Sequence, residues 1–275
     1  MNNVRSLSDI SSSLGEGICI SLDQAVVAWV DIHTNRLIRH DLVNHTTSIY
    51  LTSNIPSTVF YCDQNYCEIL TDKGIEKLDF NTGDSILLAD FAQLGLVMPP
   101  NFRTNDGVKI GEGQYFFGTM HSSNPGEHSG NLYFYDGVRL HNFESSHIPN
   151  GFIIVGEKLL VADSWEKRIL EYHSETLELR GTWSDLSSLG LTPDGGFLSR
   201  CGHVMIALWD DSAIGVFDDN GRLQKKIDLP IKRPTNCVQK GEDLIVTSAK
   251  LDETQSLKPE RSTLDGKTLS IEKIF

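Results

Sequence analysis

The sequence predicts an all-β fold, a six-bladed β-propeller with four antiparallel strands in each blade. Three observations predict it: polar residues recur at one interval, each interval holds four short apolar runs, and turn pairs separate the runs. The recurring residues stand 42 to 45 positions apart, at Asn105, Asn150, Asp194 and Asn236. Glu16 precedes the first of them by two such steps. A period in the forties is typical of propeller blades, and 275 residues hold six of them.

Each unit begins at its polar residue and continues through four runs that fit short strands. In the first unit these are residues 18–20, 26–30, 36–41 and 46–51. The second run of later units falls at 115–120, 159–162 and 204–209. Third runs often alternate apolar and polar residues, which is the period of a half-buried strand. Pairs such as Asp136-Gly137 and Asn220-Gly221 mark the turns between runs.

The second unit and the closure of the ring need separate predictions. The polar position of the second unit should fall near Ser57, with strands at 67–71 and 74–80. We expect residues 4–10 to supply the outer strand of the last blade, because this would bury the open edges of the sheet. A helical turn is plausible only at 185–191. No linker interrupts the chain, so residues 1–275 are expected to form a single propeller domain.

Bulk properties exclude several classes of partner. The net charge of −13 argues against nucleic acid or an anionic membrane. Residues 1–10 lack a secretory signal and no run reaches membrane-spanning length, so a cytoplasmic location is expected. None of the five cysteines has zinc-site spacing. Because Cys19, Cys201 and Cys237 lie in or beside predicted strands, we expect buried free thiols. The sequence indicates no oligomeric state.

The recurring polar residues predict a metal site. Equal position in each blade means equal height and radius, so these side chains should converge on one axis. Glu16 and Asp194 supply carboxylates, Asn150 and Asn105 supply amide oxygens, and Arg103 adds a cation. Such oxygen ligands suit Ca²⁺, Mg²⁺ or Mn²⁺. Too few of them are present to complete the coordination shell, which leaves a position for water or substrate, as a Lewis-acid catalyst requires.

A purely structural alternative exists for the same positions. Asn150-Gly151, Asn105-Asp106-Gly107 and Pro193-Asp194-Gly195 are each typical turn sequences. A repeat protein places turns periodically whether or not they bind anything. Periodicity therefore leaves a metal site and a set of structural turns as alternatives.

A series of short motifs, in order and with the right spacing, resembles the gluconolactonase–regucalcin–luciferin-regenerating family of six-bladed propellers. The similarity extends from about residue 14 to residue 249. Its motifs are Leu14-Gly15-Glu16-Gly17, Trp29-Val30-Asp31-Ile32, Arg103-Thr104-Asn105-Asp106-Gly107, Phe117-Gly118-Thr119-Met120, Asn150-Gly151, Ala162-Asp163-Ser164, Pro193-Asp194-Gly195 and Val246-Thr247-Ser248-Ala249.

The resemblance implies an activity and a role for five residues. It implies a metal-dependent lactonase that opens a small-molecule sugar-acid lactone. Glu16, Asn150 and Asp194 would bind one divalent ion (Ca, Mg, Mn or Zn), and Asp194 would also act as the catalytic base. Arg103 and Asn105 would contact the sugar lactone.

The loop after Met120 departs from the family pattern. Some family members carry an acidic residue there that meets the sugar, whereas this chain has His121. His121 is therefore a candidate substrate contact, and a solvated loop residue is the alternative. Asp163, at the end of a predicted strand, is expected to accept hydrogen bonds as a structural residue.

Two other functions remain open at the level of sequence. One is a non-catalytic propeller that binds calcium or a metabolite, and the other is a related esterase or phosphotriesterase. Arg103 and Asn105 favour a polyhydroxylated lactone over an apolar ester. The sequence names neither the lactone nor the native metal.

Overall fold

The computed structural model describes residues 3–250 and 263–275, which form six four-stranded antiparallel sheets. The sheets are the blades of a β-propeller, as the sequence predicts. Blade 1 contains β2 (Gly15–Ile20), β3 (Val26–Asp31), β4 (Arg36–Asp41) and β5 (Thr46–Leu51). Blade 2 contains β6 (Pro56–Cys62), β7 (Tyr66–Thr71), β8 (Gly74–Asp79) and β9 (Ser85–Asp90). Blade 3 contains β10 (Phe102–Gly111), β11 (Gln114–His121), β12 (Gly130–Tyr135) and β13 (Leu140–Ser146).

The other three blades follow the same order from the axis outward. Blade 4 contains β14 (Pro149–Val155), β15 (Lys158–Asp163), β16 (Arg168–His173) and β17 (Leu179–Asp185). Blade 5 contains β18 (Thr192–Leu198), β19 (Val204–Trp209), β20 (Ala213–Phe217) and β21 (Leu223–Asp228). Blade 6 contains β22 (Pro234–Lys240), β23 (Asp243–Ser248), β24 (Leu269–Ile271) and, as its outer strand, β1 (Val4–Ser6).

The pairing of β1 with β24 joins the two ends of the chain in one blade. Val4 pairs with Ile271 and Ser6 with Leu269, in an antiparallel register. This confirms the prediction that the N-terminal segment supplies the outer strand of the last blade. The strand is shorter than the predicted 4–10, because the chain leaves the sheet after Ser6.

Burial falls from the second strand of a blade to its outer strand. All six residues of β3 are buried, whereas β5 at the outer edge of the same blade contains none that is fully buried. A blade is covered on both faces by its neighbours, and only its outer edge meets water. This explains why the inner runs of the sequence are continuously apolar and the outer runs are mixed.

Apolar side chains from neighbouring blades fill each junction. Between blades 1 and 2, for example, Val26 and Leu37 pack in one cluster with Val59 and Ile69. Similar clusters of the described residues lie at the other five junctions, including the one between blades 6 and 1. The hydrophobic core is therefore divided into interfaces between blades, and these hold the six inner strands around one axis.

Local elements agree with the sequence in most places and differ at one cysteine. The helical turn expected at 185–191 is a 3-10 turn, Ser187–Leu189. All five cysteines are free; Cys237 is buried and Cys19 partly so. The prediction that Cys201 is buried is wrong, because Cys201 lies in the turn between β18 and β19, where its side chain meets solvent. Within the described ranges, no helix has the length and hydropathy to cross a membrane.

Deletion of residues 1–10 should lower the melting temperature by several degrees. The deletion removes β1, leaves the edge of β24 unpaired, and uncovers the apolar clusters on which Val4, Leu7 and Ile10 pack. The loss of these side chains alone should lower the free energy of unfolding by about 2–4 kcal/mol. The measurement is thermal unfolding followed by circular dichroism, with Val43→Ala as a control because Val43 is 69% exposed. An unchanged melting temperature would contradict the role of β1 in ring closure.

Candidate functional site

Every inner strand departs from regular pairing near its recurring polar residue. The register shift follows Glu16 in β2, follows Asn150 in β14 and spans Asp194 in β18. Corresponding shifts occur in β6, β10 and β22. Such irregularities re-aim side chains away from the normal alternation of a strand. The six recurring residues are all buried: Glu16, Ser57, Asn105, Asn150, Asp194 and Asn236.

Two glycines next to these residues allow neighbouring inner strands to approach. Gly17 and Gly151 have φ values of 54° and 55°, in the left-handed region that favours glycine. A Cβ atom on Gly17 would lie 2.2 Å from the Cα of Thr58 in the next blade. A Cβ atom on Gly151 would lie 2.7 Å from the backbone oxygen of Asp194. The turn sequences seen in the chain are therefore the means by which the inner strands pack together.

A cavity of about 520 Å³ lies at the N-terminal ends of the inner strands and contains most of the predicted site. Five of the six side chains proposed from the sequence line it: Glu16, Arg103, Asn105, Asn150 and Asp194. The remaining lining residues are Leu14, Met120, Ile148, Ser164, Trp165, Lys167, Thr192 and Trp209. The structure thus brings together residues from blades 1, 3, 4 and 5.

His121 is the predicted site residue that lies apart from this group. As far as the described residues go, it is absent from the lining of the cavity. Its Nδ1 accepts hydrogen bonds from the backbone N–H groups of Ser123 and Asn124, at 3.3 and 2.9 Å. Its ring meets Phe102 edge-on, with 5.0 Å between the ring centroids. In this structure His121 organises the loop that follows β11.

A chain of hydrogen bonds fixes the orientation of two amides on the cavity floor. The Arg103 guanidinium donates to Asn105 Oδ1 at 2.6 Å, and Asn105 Nδ2 donates to Asn150 Oδ1 at 2.7 Å. Because arginine is only a donor, Asn105 must turn its oxygen to Arg103 and its NH₂ group to Asn150. Asn150 must in turn direct its side-chain oxygen toward the NH₂ group of Asn105.

Ser164 completes this chain in the opposite direction. Asn150 Nδ2 donates to Ser164 Oγ at 2.9 Å, and the Ser164 hydroxyl donates to the backbone oxygen of Pro193 at 2.6 Å. The Asn150 amide is therefore held at both ends, with its NH₂ group on Ser164. Since Pro193 directly precedes Asp194, the chain also ties blade 4 to the strand that carries this carboxylate.

The floor of the cavity contains more buried acid than base. Burial raises the pKa of Glu16 well above its ordinary value, and the charges of Asp194 and Asp106 raise it further. Burial and the charge of Asp106 also raise the pKa of Asp194. Burial lowers the pKa of Arg103 to about 10, although Glu16 and Asp194 act in the opposite direction. One guanidinium thus faces two carboxylates, and ionisation of both would leave a buried negative charge that Arg103 does not compensate.

Glu16 and Asp194, the two carboxylates that the sequence suggests as metal ligands, each have one oxygen without a hydrogen-bond partner among the described residues. Glu16 Oε2 accepts from the N–H of Gly17 at 3.2 Å, and Asp194 Oδ1 accepts from the N–H of Gly195 at 3.1 Å. The oxygens without a partner are Glu16 Oε1 and Asp194 Oδ2. The described residues include no group of three His, Cys, Asp or Glu side chains that would hold a metal ion by themselves. A metal here would need the Asn150 oxygen and external ligands as well, and these oxygen donors suit a hard divalent cation.

Asp106 and Asn236 belong to a second cavity at the opposite ends of the inner strands. This cavity has a volume of about 400 Å³, and Lys109 and Arg200 also line it. Asp106 Oδ2 accepts from the N–H of Gly151 at 2.9 Å, and Asn236 Oδ1 accepts from the N–H of Cys237 at 2.8 Å. Asn236, although it occurs at the same position in its blade as Asp194, does not line the cavity that contains Glu16 and Asp194.

Several residues that the structure brings to the site carry no signal in the sequence that would predict their role. Asp106 and Ser164 lie within motifs identified in the sequence. Only their hydrogen bonds to neighbouring blades show their roles. Trp165 and Trp209 follow or end second strands, at the same edge of their blades as the cavity. Asp163 behaves as expected, because it accepts from Ser146, His147 and the backbone N–H groups that follow it.

Comparison with known proteins gives a family match over most of the chain. Residues 14–250 match the family model described as the SMP-30/Gluconolactonase/LRE-like region. The chain is 23% identical over 244 residues to pentonolactonase XacC of Haloferax volcanii, covering 86% of this chain and 80% of that protein. It is 27% identical over 257 residues to a putative sugar lactone lactonase of Rhizobium meliloti, covering 89% and 85% respectively.

Among solved structures, the chain is similar to a calcium-binding protein, regucalcin, of Agrobacterium tumefaciens. The TM-score is 0.85 at 22% identity, over 98% of this chain and 93% of that one. At 22% sequence identity, this structural similarity supports the β-propeller fold independently of the sequence pattern.

Proposed function

The chain belongs to the SMP-30/Gluconolactonase/LRE-like family, and we propose that it is a divalent-metal-dependent hydrolase that opens a sugar-acid lactone. The main support is the convergence of Glu16, Asn150 and Asp194 with Arg103 and Asn105 on one cavity. Two of its relatives are named as lactonases, one for pentonolactones and one, putatively, for sugar lactones.

The proposed metal ligands are Glu16, Asn150 and Asp194. Three features support them: a carboxylate oxygen without a partner on Glu16 and on Asp194, the fixed amide oxygen of Asn150, and the excess of buried acid over base. When bound, a divalent ion (Ca, Mg, Mn or Zn) would polarise the lactone carbonyl and offset the negative charge that develops on its oxygen. Oxygen ligands of this kind favour Ca²⁺, Mg²⁺ or Mn²⁺.

Asp194 is the proposed base. It would take a proton from the attacking water as the new C–O bond forms at the carbonyl carbon. It would then return that proton to the ring oxygen as the ring C–O bond breaks, and the product is the open hydroxy acid. The N–H of Gly195 donates to Asp194 Oδ1 and fixes the orientation of the carboxylate at the cavity floor.

Arg103 and Asn105 are the proposed contacts to the substrate. One terminal nitrogen of Arg103 is occupied by Asn105 and by the backbone oxygen of Thr104. Among the described residues, its other guanidinium nitrogens make no hydrogen bond, so they remain for hydroxyl or carbonyl oxygens of the lactone. A polyhydroxylated substrate would satisfy such donors better than an apolar ester.

The test of this function is a panel of substrates with and without EDTA. Proton release should occur on one or more aldonolactones, stop with EDTA, and return when a divalent cation is added. Aryl esters and phosphotriesters, included in the same panel, should react more slowly. Metal-independent hydrolysis, or no hydrolysis of any lactone, would refute the proposal. Calcium binding without hydrolysis would instead identify a binding protein.

Asp194→Asn should lower kcat by about 10²–10⁴-fold, because the variant keeps one oxygen ligand but loses the base. The measurement is the steady-state rate at a metal concentration that saturates the variant, as established by calorimetric titration. Thermal unfolding checks that the fold survives. Wild-type kcat in a folded, metal-loaded variant would rule out Asp194 as the base.

Ser164→Ala should weaken metal affinity by about 10–100-fold. The change leaves Asn150 Nδ2 without its acceptor, so only the hydrogen bond from Asn105 still orients the Asn150 amide oxygen. Calorimetric titration of the purified protein with Ca²⁺ and Mn²⁺ measures the effect without any substrate.

Two further variants control for a general loss of packing. Ser164→Thr keeps the hydroxyl and should restore most of the affinity. Ser146→Ala removes another buried serine of the same region, one that donates to Asp163 at 2.8 Å, and should leave metal affinity unchanged. Equal affinity in wild type and Ser164→Ala would show that the serine does not orient Asn150.

A further inference from the structure

The wall of the main cavity differs in character from its floor. Five apolar side chains form much of the wall: Leu14, Met120, Ile148, Trp165 and Trp209. None of them has a task in the proposed hydrolysis. A volume of about 520 Å³ lies in the range of pockets that enclose drug-sized ligands, which are larger than a single five- or six-carbon lactone. The cavity therefore has apolar surface and room beyond the reacting ring.

Trp165 is open to solvent yet held in place. Its side chain is 52% exposed, which is unusual for a residue of this size. A Cβ atom on Gly126 would lie 2.2 Å from Trp165 Cζ2, so the loop containing Gly126 rests directly against the indole. His147 donates to the backbone oxygen of Pro125 in that loop at 2.7 Å, and its ring centroid lies 6.4 Å from that of Trp165. The indole is thus supported on its protein side.

Trp209 is fixed by a different device. It lies at the end of β19, paired with Thr192, which also lines the cavity. The Arg233 guanidinium lies 4.9 Å from the centre of the Trp209 ring, and Arg233 Nε donates to Asp210 at 2.8 Å. A cation held over an aromatic ring in this way stabilises the ring's position. Two supported indoles from adjacent blades therefore border one cavity.

From this geometry we infer that Trp165 and Trp209 form an aromatic subsite for a substituent of the lactone, remote from its carbonyl. The inference rests on the proposed function and extends it. The chemistry recognised is a flat apolar face, which either a glycosyl group (through its C–H face) or an aryl group presents. Supported aromatic rings bind such faces with little loss of conformational entropy. The substrate is then a substituted lactone, and the unsubstituted aldonolactone occupies only the floor.

The first test compares substituted and unsubstituted lactones. Wild type, Trp165→Leu and Trp209→Leu are assayed on gluconolactone, on lactobionolactone as its glycosylated form, and on 6-O-benzylgluconolactone as its arylated form. Wild type should prefer one of the two extended substrates, and that preference distinguishes a glycosyl from an aryl group. Each variant should lose about tenfold in kcat/KM on the preferred substrate, mainly through KM, and change less than about twofold on gluconolactone.

The second test measures binding without turnover. The chain has four tryptophans, of which Trp29 is buried in the core and Trp183 packs on Phe217, away from the cavity. Lactobionate or 6-O-benzylgluconate should change the intrinsic fluorescence of wild type more strongly than gluconate does. The Trp165→Leu/Trp209→Leu double variant should lose that difference, whereas Trp183→Phe should keep it. Thermal unfolding confirms that each variant is folded.

The outcomes separate this inference from the proposed function. If hydrolysis occurs but both variants affect all lactones equally, or affect none, the aromatic subsite is refuted and the lactonase proposal stands. If no lactone is hydrolysed, the lactonase proposal fails, and the fluorescence titration decides the subsite alone. A fluorescence response that is equal for gluconate and the extended acids, or is unchanged in the double variant, overturns it.

Discussion

The packing of each blade against its two neighbours is the constraint on which this structure depends. Apolar side chains of adjacent blades, such as Leu37 in blade 1 and Ile69 in blade 2, are buried in shared clusters. One blade has no core of its own, so its faces are stable only within a complete ring. Closure through β1 and β24 therefore matters to every junction, and the inner strands have fixed positions only because the outer ones are held.

The site is a consequence of the same close approach. Gly17 and Gly151 let the inner strands come together near the axis, and the register shifts beside them turn the polar side chains toward the cavity. Gathering Glu16 and Asp194 in this way is unfavourable in the chain itself, since burial and the charge of a neighbouring carboxylate raise the pKa of each, Asp194 and Asp106 acting on Glu16 and Asp106 acting on Asp194. A bound divalent cation would relieve that cost. The apolar packing of the blades thus holds the Glu16 and Asp194 carboxylates in one cavity. Their own interactions would not stabilise that arrangement.

Much of the fold could be predicted because it follows from local sequence patterns. Strand positions follow from apolar runs and turn pairs, and 204–209 matches β19 in full. The blade count follows from the period and the length. The wrong prediction for Cys201 came from treating a residue near a strand as part of it, whereas β18 ends at Leu198 and Cys201 is exposed in the turn that follows. Boundaries of this kind depend on one or two residues and leave no periodic signal.

The sequence by itself determined which polar residues share one position in the repeat, and from this the six blades. The family resemblance then singled out Glu16, Asn150 and Asp194 among those residues. Only the tertiary structure decided that Ser164 holds the amide of Asn150, that Asn236 belongs to the opposite cavity, and that His121 lies outside the lining. The reason is physical. A repeat fixes the height and radius of a residue within its own blade, but the direction of a side chain depends on contacts with the next blade, some 45 residues away, which a single sequence does not encode as a pattern.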